Sequence, residues 1–285
     1  MDIVYPYDLA SFDNPQGLEP ETIEGQVAGA PGLPQSVPST TLQRENPPWN
    51  MADIVRILLV AMVALVVLGA VIVPIASRRL GIPATSAQIT DNPRVALPVQ
   101  TAAYLVVLIF MVITLRVRQL PFWKSIHWNW PMLKWPAYIV AGALLGFLIE
   151  GASAFLPIPK EVPFDKYFTD ASGAYLMAVF GVTLAPLMEE LFFRGFLYPA
   201  LNRRIGVTFS LVITSLAFAL LHAAQLAHAW APLFLIFIVG LALTYTRART
   251  RSVASSFLLH AGYNSTLFIL MWIATDHFRH LERVS

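Results

Sequence analysis

Two adjacent glutamates followed by an arginine form the most chemically suggestive run in the sequence, PLMEELFFR, which begins at Pro186. On a helix, Glu190 and Arg194 stand at positions i and i+4, so we expect them to form an ion pair. Glu189 points about 100° away from Glu190 and has no partner in this run. A structural salt bridge accounts for Glu190 and Arg194, but an unpaired carboxylate beside it is typical of a base or a metal ligand.

Two later segments each contain a histidine that stands four residues from an aromatic or an amide side chain. His222 follows Phe218 by four residues, and His260 precedes Asn264 by four. The second spacing points the imidazole and the amide to the same helix face. Gly262 between them allows a backbone or a substrate to approach closely. Hydrogen bonds between packed helices would also account for these side chains.

The composition of the whole chain is that of an integral membrane protein. Of its 285 residues, 56% are hydrophobic and 13% are charged, and the mean hydropathy is +0.62. A water-soluble domain could not bury so much apolar surface. The absence of cysteine excludes thiol nucleophiles and disulfides. The net charge of +2 gives no indication of nucleic-acid binding.

Seven apolar runs have the length of a membrane-spanning helix, and lipid leaves the backbone no partner outside a helix. The sequence therefore predicts an all-α transmembrane bundle with spans at 57–76, 95–115, 136–156, 173–201, 207–226, 229–245 and 252–274. The long fourth run is expected to break or kink at Pro186. Eleven basic residues fall on one side of the spans and seven on the other, which predicts a cytoplasmic N-terminus in a plasma (inner) membrane.

The chain divides into three predicted parts. Residues 1–50 carry seven acidic residues and one basic residue, a net charge of −6, together with eight of the 21 prolines. Such a segment buries too little apolar area to fold, so we expect a disordered acidic tail. Residues 51–135 are predicted to hold the first spans and an interfacial, tryptophan-rich segment. Residues 136–285 are predicted to form the core, with the motifs at 189–264.

Helix rise allows the depths of the polar residues to be compared. Counted from the same predicted end of the bundle, Glu189, His222 and His260 fall within about 10 Å of one another. Charged groups in lipid are costly, so we expect these side chains to line one buried, water-holding site with Asn264. A carboxylate with imidazoles suits the activation of water for amide hydrolysis, while histidine and amide donors suit an oxyanion. The chain contains neither a nucleophile-elbow serine nor an HExxH helix.

In this order on successive helices, the three motifs resemble those of the CAAX-protease and bacteriocin-processing family, intramembrane endopeptidases often called Abi proteins in bacteria. The family is related to the Ras and a-factor converting enzyme, and the resemblance covers about residues 173–274. It implies cleavage of a peptide or membrane-protein substrate by activated water. The implied roles are water activation by Glu189 and His222, oxyanion stabilisation by His260 and Asn264, and support from Glu190, Arg194 and Phe218.

Two alternatives remain open at this point. Glu189, His222 and His260 would make a His₂Glu zinc site, as in a metalloprotease, but glutamate and histidine also activate water without a metal. The same polar residues would serve a non-catalytic protein, such as a bacteriocin-immunity factor or binding scaffold, by locking helices together. A proton-relaying transporter is a further alternative, although no internal repeat is evident.

Overall fold

The computed structural model describes residues 42–168 and 170–281, which form helices and no strand. This confirms the predicted all-α class. Six of the described helices are long and apolar enough to cross a membrane. The helices are α1 (Met51–Leu80), α2 (Ala87–Thr90), α3 (Pro93–Arg116), α4 (Phe122–Ser125), α5 (Trp135–Ser153), α6 (Ala171–Val182), α7 (Leu184–Glu190), a π-helical segment (Leu191–Leu197), α8 (Tyr198–Leu221), α9 (Trp230–Thr250) and α10 (Val253–Ala274), with 3₁₀ turns at Asp165–Tyr167 and Ala224–Leu226.

The stretch Ala171–Leu221, which comprises α6, α7, the π-helical segment and α8, is a hairpin rather than one long span. Arg194 and Phe218 are 24 residues apart, which would separate them by about 36 Å on a straight helix. Yet the guanidinium carbon of Arg194 lies 4.5 Å from the centre of the Phe218 ring. The reversal occurs at Gly206, whose φ of 77° and ψ of 177° are not helical. The two arms correspond to the fourth and fifth predicted spans, so the seven apolar runs appear as six helices.

The predicted break near Pro186 is present, one turn earlier than expected. α6 ends at Val182, and Thr183 has φ −115° and ψ −77° before α7 begins. Pro186 has no N–H to offer the carbonyl of Val182, so the helical hydrogen-bond ladder is interrupted ahead of the proline rather than at it. This break sets the direction in which α7 carries the two glutamates.

Replacing Gly206 with alanine should lower the free energy of unfolding by about 1–3 kcal/mol, because its backbone conformation is accessible essentially to glycine alone. A Cβ atom at Gly206 would meet nothing within 4 Å, so the loss would report backbone strain and not a clash. The measurement is equilibrium unfolding in mixed detergent micelles. Gly69→Ala, in helical backbone and equally open space, should be neutral or slightly stabilising. A similar response of both variants would contradict the prediction.

The bundle is built from three helix pairs, α1 with α3, α8 with α9, and α5 with α10. Large apolar side chains such as Phe196, Phe218 and Met111 are buried between them. Outward-facing residues are apolar too; Val66 of α1, for example, is 71% exposed. A helix that is apolar on every side is what a lipid environment requires.

The last nine residues of the predicted tail, 42–50, are ordered. Residues 1–41, where most of the tail prediction falls, lie outside the described residues. Residues 42–50 are described, and they pack against the bundle with Glu45 and Trp49 buried. For these nine residues the prediction of disorder is wrong, because Glu45 and Trp49 find partners in the bundle that composition cannot reveal.

Candidate active site

The carboxylate of Glu190 is at the centre of a buried hydrogen-bond network. Glu190 is the last residue of α7 and is fully buried. Its Oε1 lies 2.8 Å from Nη1 of Arg194 and 3.0 Å from Nδ1 of His260. Its Oε2 accepts a 2.5 Å hydrogen bond from the hydroxyl of Ser256. The expected ion pair is therefore present, and it also fixes His260 on another helix.

Arg194 lies in the π-helical segment, a form of helix often found at functional sites. The side chain is fully buried and donates to the carbonyl of Gly240 at 3.1 Å and to the hydroxyl of Thr244 at 3.3 Å. Its guanidinium also lies over the Phe218 ring. A buried charge requires this degree of pairing, and the pairing ties the first arm of the hairpin to α9.

His260 lies between the two glutamates. Its Nδ1 faces Glu190, and its Nε2 is 3.8 Å from Oε2 of Glu189. The side chain of Glu189 is 15% exposed, whereas that of Glu190 is completely buried. Glu189 is thus the more exposed of the two carboxylates, and Glu190 is the one that holds its neighbours.

His222 ends α8 and is turned toward its own helix. Its Nδ1 lies 2.9 Å from the carbonyl oxygen of Phe218. A carbonyl can only accept, so Nδ1 carries the proton and Nε2 presents a lone pair. The Phe218 ring contacts both imidazoles, with ring-centre distances of 5.0 Å to His222 and 5.7 Å to His260. Within 4 Å, the histidine neighbour of Glu189 is therefore His260; no ion pair joins His222 to a carboxylate in the described residues.

Asn264 lies one helical turn beyond His260, at the break between α6 and α7. Its side-chain amide donates a 2.6 Å hydrogen bond to the carbonyl of Gly181. That carbonyl belongs to the last turn of α6, where helix carbonyls lack partners within their own helix. The bond uses one of the two amide protons and holds α10 against the interrupted helix.

The candidate zinc ligands are not grouped as a metal site in the part of the chain that the structure describes. Across residues 42–168 and 170–281, no three histidine, aspartate or glutamate side chains are grouped as a metal site. Nδ1 of His260 faces Glu190 and Nδ1 of His222 faces a carbonyl, which is also how the second ring nitrogen of a metal-bound histidine is commonly held. The described residues therefore present no grouped His₂Glu set, and no step of the chemistry is derived through a metal.

Sequence reasoning overlooked several residues that hold the site together. Ser256 stands four residues before His260, so the helical spacing could have placed it on the same face. No sequence pattern indicates the contacts of Thr244 and Arg247, because their partners in the first arm of the hairpin are about 50 residues away in the sequence. Only the packing of α9 against that arm brings them into contact.

The segment that contains the candidate site is similar to a known protein family. Residues 171–266 match the model of a family described as type II CAAX prenyl endopeptidase, Rce1-like. The matched segment is about one third of the chain and contains all three motifs. No curated protein and no solved structure matches the chain.

The family match confirms, for residues 171–266, the resemblance that the motifs indicate. The apolar helices indicate an integral membrane protein, and residues 171–266 of it are similar to the CAAX type of endopeptidase.

Proposed function

We propose that this protein is an intramembrane endopeptidase in which Glu189 activates a water molecule to hydrolyse a peptide bond. The observation that carries the proposal is the array of Glu190, His260 and Glu189, in which a buried carboxylate fixes an imidazole that faces a second, accessible carboxylate at 3.8 Å. A purely structural array would not need the second carboxylate.

The proposed chemistry assigns one task to each group. The water oxygen attacks the peptide carbonyl carbon while Glu189 accepts the water proton, and the lone pair on Nε2 of His222 assists as a second acceptor. His260 in its protonated form donates Nδ1–H to Glu190 and directs Nε2–H, with the free amide proton of Asn264, at the oxyanion. The C–N bond then breaks, and Glu189 returns its proton to the departing amine.

The location of the site supports cleavage near one membrane surface. Nε of Arg247, in the last turn of α9, donates to the carbonyl of Arg194, one turn from Glu190. The site therefore lies a few turns below the end of the bundle that carries Arg203, Arg204 and Arg251. We propose that this end is cytoplasmic, because basic residues favour that side.

An apolar groove between α6 and α10 suits a hydrophobic substrate. The groove has a volume of about 350 Å³, and one of its lining residues, Ser265, follows Asn264 in the sequence. Its lining includes Val179, Thr183, Ser265, Phe268 and Trp272. We propose peptides with a bulky apolar side chain or an attached lipid chain as substrates, in accord with the family description.

The test is peptide cleavage by the purified protein in liposomes, using farnesylated and unmodified internally quenched peptides. Glu189→Gln, His222→Ala and His260→Ala should each lower kcat by about 100-fold or more, since each removes a group that acts on the reacting atoms. Glu150→Gln and His228→Gln alter exposed residues outside the site and should retain parental activity.

The scaffold alternative predicts a different pattern. If the polar residues only lock helices together, the parent should show no cleavage of either peptide class. In that case the three site variants should differ from the parent in thermal stability alone. Full activity in all three site variants would equally end the proposal.

A further inference from the structure

The segment before α1 is bound to one end of the bundle as an extended strap. We call residues 42–50 the N-terminal strap. The Arg44 guanidinium donates to the carbonyl of Arg203 at 2.6 Å, and the indole N–H of Trp49 donates to the carbonyl of Phe196 at 2.9 Å. Each of these contacts joins parts of the chain that are nearly 150 residues or more apart.

The centre of the strap is a buried ion pair. Both oxygens of Glu45 accept hydrogen bonds from Arg247, at 2.8 and 2.9 Å, in a bidentate arrangement. Arg247 is fully buried, and the His127 ring lies 3.1 Å from its Nη2. Burial alone would raise the pKa of Glu45, but the hydrogen bonds and charges of His127 and Arg247 lower it to about 2. The carboxylate is therefore ionised whenever the strap is in place.

Arg247 connects the strap to the candidate active site. Its Nε donates a 3.1 Å hydrogen bond to the carbonyl of Arg194. In a π-helix, the carbonyl of Arg194 would accept from the backbone N–H of residue 199, but residue 199 is proline and has no N–H. The N–H of Tyr198 is not available either, because it is bonded to the carbonyl of Phe193. Arg247 thus supplies the donor that the main chain cannot, at the residue whose side chain holds Glu190.

We propose that Glu45 is a positioning residue for the peptidase site. Its carboxylate orients Arg247, which caps the π-helical segment and keeps Arg194 and Glu190 aligned with His260. This inference rests on the proposed function, and it adds a contribution from a segment outside the matched domain. The other reading is that the strap only contributes to stability.

The test uses the full chain in liposomes, with Glu45→Ala as the main variant. The substitution leaves Arg247 buried and unpaired, so kcat for the peptide cleaved by the parent should fall about 10- to 100-fold with KM unchanged. Added acetate, which can replace the missing carboxylate, should restore much of kcat. Acetamide has the same shape without the charge and should not.

The matched control is Arg44→Ala. Arg44 belongs to the same strap and binds the same end of the bundle, but it is exposed and does not contact Arg247. Its loss should weaken the attachment of the strap and leave kcat within about two-fold of the parental value. A readout independent of activity is amide hydrogen exchange over residues 191–198, which should accelerate in Glu45→Ala, slow again with acetate, and remain parental in Arg44→Ala.

The two measurements separate failure of this inference from failure of the proposed function. Parental exchange over residues 191–198 in Glu45→Ala would overturn the positioning role, whatever the activity. Faster exchange with an unchanged kcat, a change confined to KM, or equal rescue by acetate and acetamide would also overturn it. If the parent protein cleaves no peptide, the proposed function is wrong. Amide hydrogen exchange over residues 191–198 in Glu45→Ala, measured with and without acetate, would then decide whether Glu45 positions the π-helical segment.

Discussion

Arg194→Met should lower the free energy of unfolding by about 3–5 kcal/mol, the loss typical of removing one partner from a buried ion pair. Glu190 and Arg194 are both fully buried, and their oxygen and nitrogen are 2.8 Å apart. Without the guanidinium, the partners left to the Glu190 carboxylate among the described residues would be Ser256 and His260, in a low-dielectric interior. The measurement is equilibrium unfolding in mixed detergent micelles.

A second substitution tests the electrostatic origin of that loss. In the double variant Glu190→Gln/Arg194→Met the uncompensated charge is gone, so part of the stability should return even though activity does not. Arg249→Met, at an exposed arginine near the end of α9, should change stability by no more than about 0.5 kcal/mol. A loss below about 1 kcal/mol in Arg194→Met would show that Glu190 is not held by this pair.

Gly142→Ala should destabilise the bundle by about 1–3 kcal/mol and reduce peptidase activity. A Cβ atom at Gly142 would lie 2.0 Å from the carbonyl oxygen of Leu259 and 2.8 Å from the backbone nitrogen of Tyr263. Both atoms are backbone of α10, so α5 and α10 would have to move apart. Leu259 precedes His260, and the displacement would therefore disturb its alignment with the glutamates.

Gly151→Ala provides the control on the same helix. A Cβ atom there would meet nothing within 4 Å, and alanine is a better helix former, so the variant should be neutral or up to about 1 kcal/mol more stable. The free energy of unfolding should therefore fall in Gly142→Ala and stay the same or rise in Gly151→Ala. Peptidase activity should fall in Gly142→Ala alone. Equal stability of Gly142→Ala and Gly151→Ala would contradict the close α5–α10 contact. The same contact explains Gly262, where a Cβ atom would lie 2.3 Å from the carbonyl oxygen of Ile139.

The features that sequence reasoning predicted correctly depend on local rules. Apolar runs of sufficient length must become helices in lipid, so the all-α class and the approximate spans follow from composition and length. The pairing of Glu190 with Arg194 follows from a spacing of four residues on one helix. The motif order was enough to indicate the family that residues 171–266 match.

The neighbours of the site residues depend on tertiary structure. Sequence reasoning paired Glu189 with His222, but helix packing places His260 beside Glu189 and turns Nδ1 of His222 to its own helix. The rise per residue gives the depth of a side chain along its helix. It does not give the direction in which that side chain points within the bundle. The roles of His222, His260 and Asn264 in catalysis thus stay predictions that the cleavage experiment tests.

By itself, the sequence determined that this chain is a helical membrane protein with carboxylates, histidines and an arginine in its spans, because hydrogen bonding in lipid and helical spacing act over a few residues. Only the tertiary structure decided that His260 joins two glutamates and that Glu45, in a segment predicted to be disordered, binds Arg247. The physical reason is distance along the chain. A buried charge must be paired, but its partner 70 or 202 residues away is selected by how the helices pack.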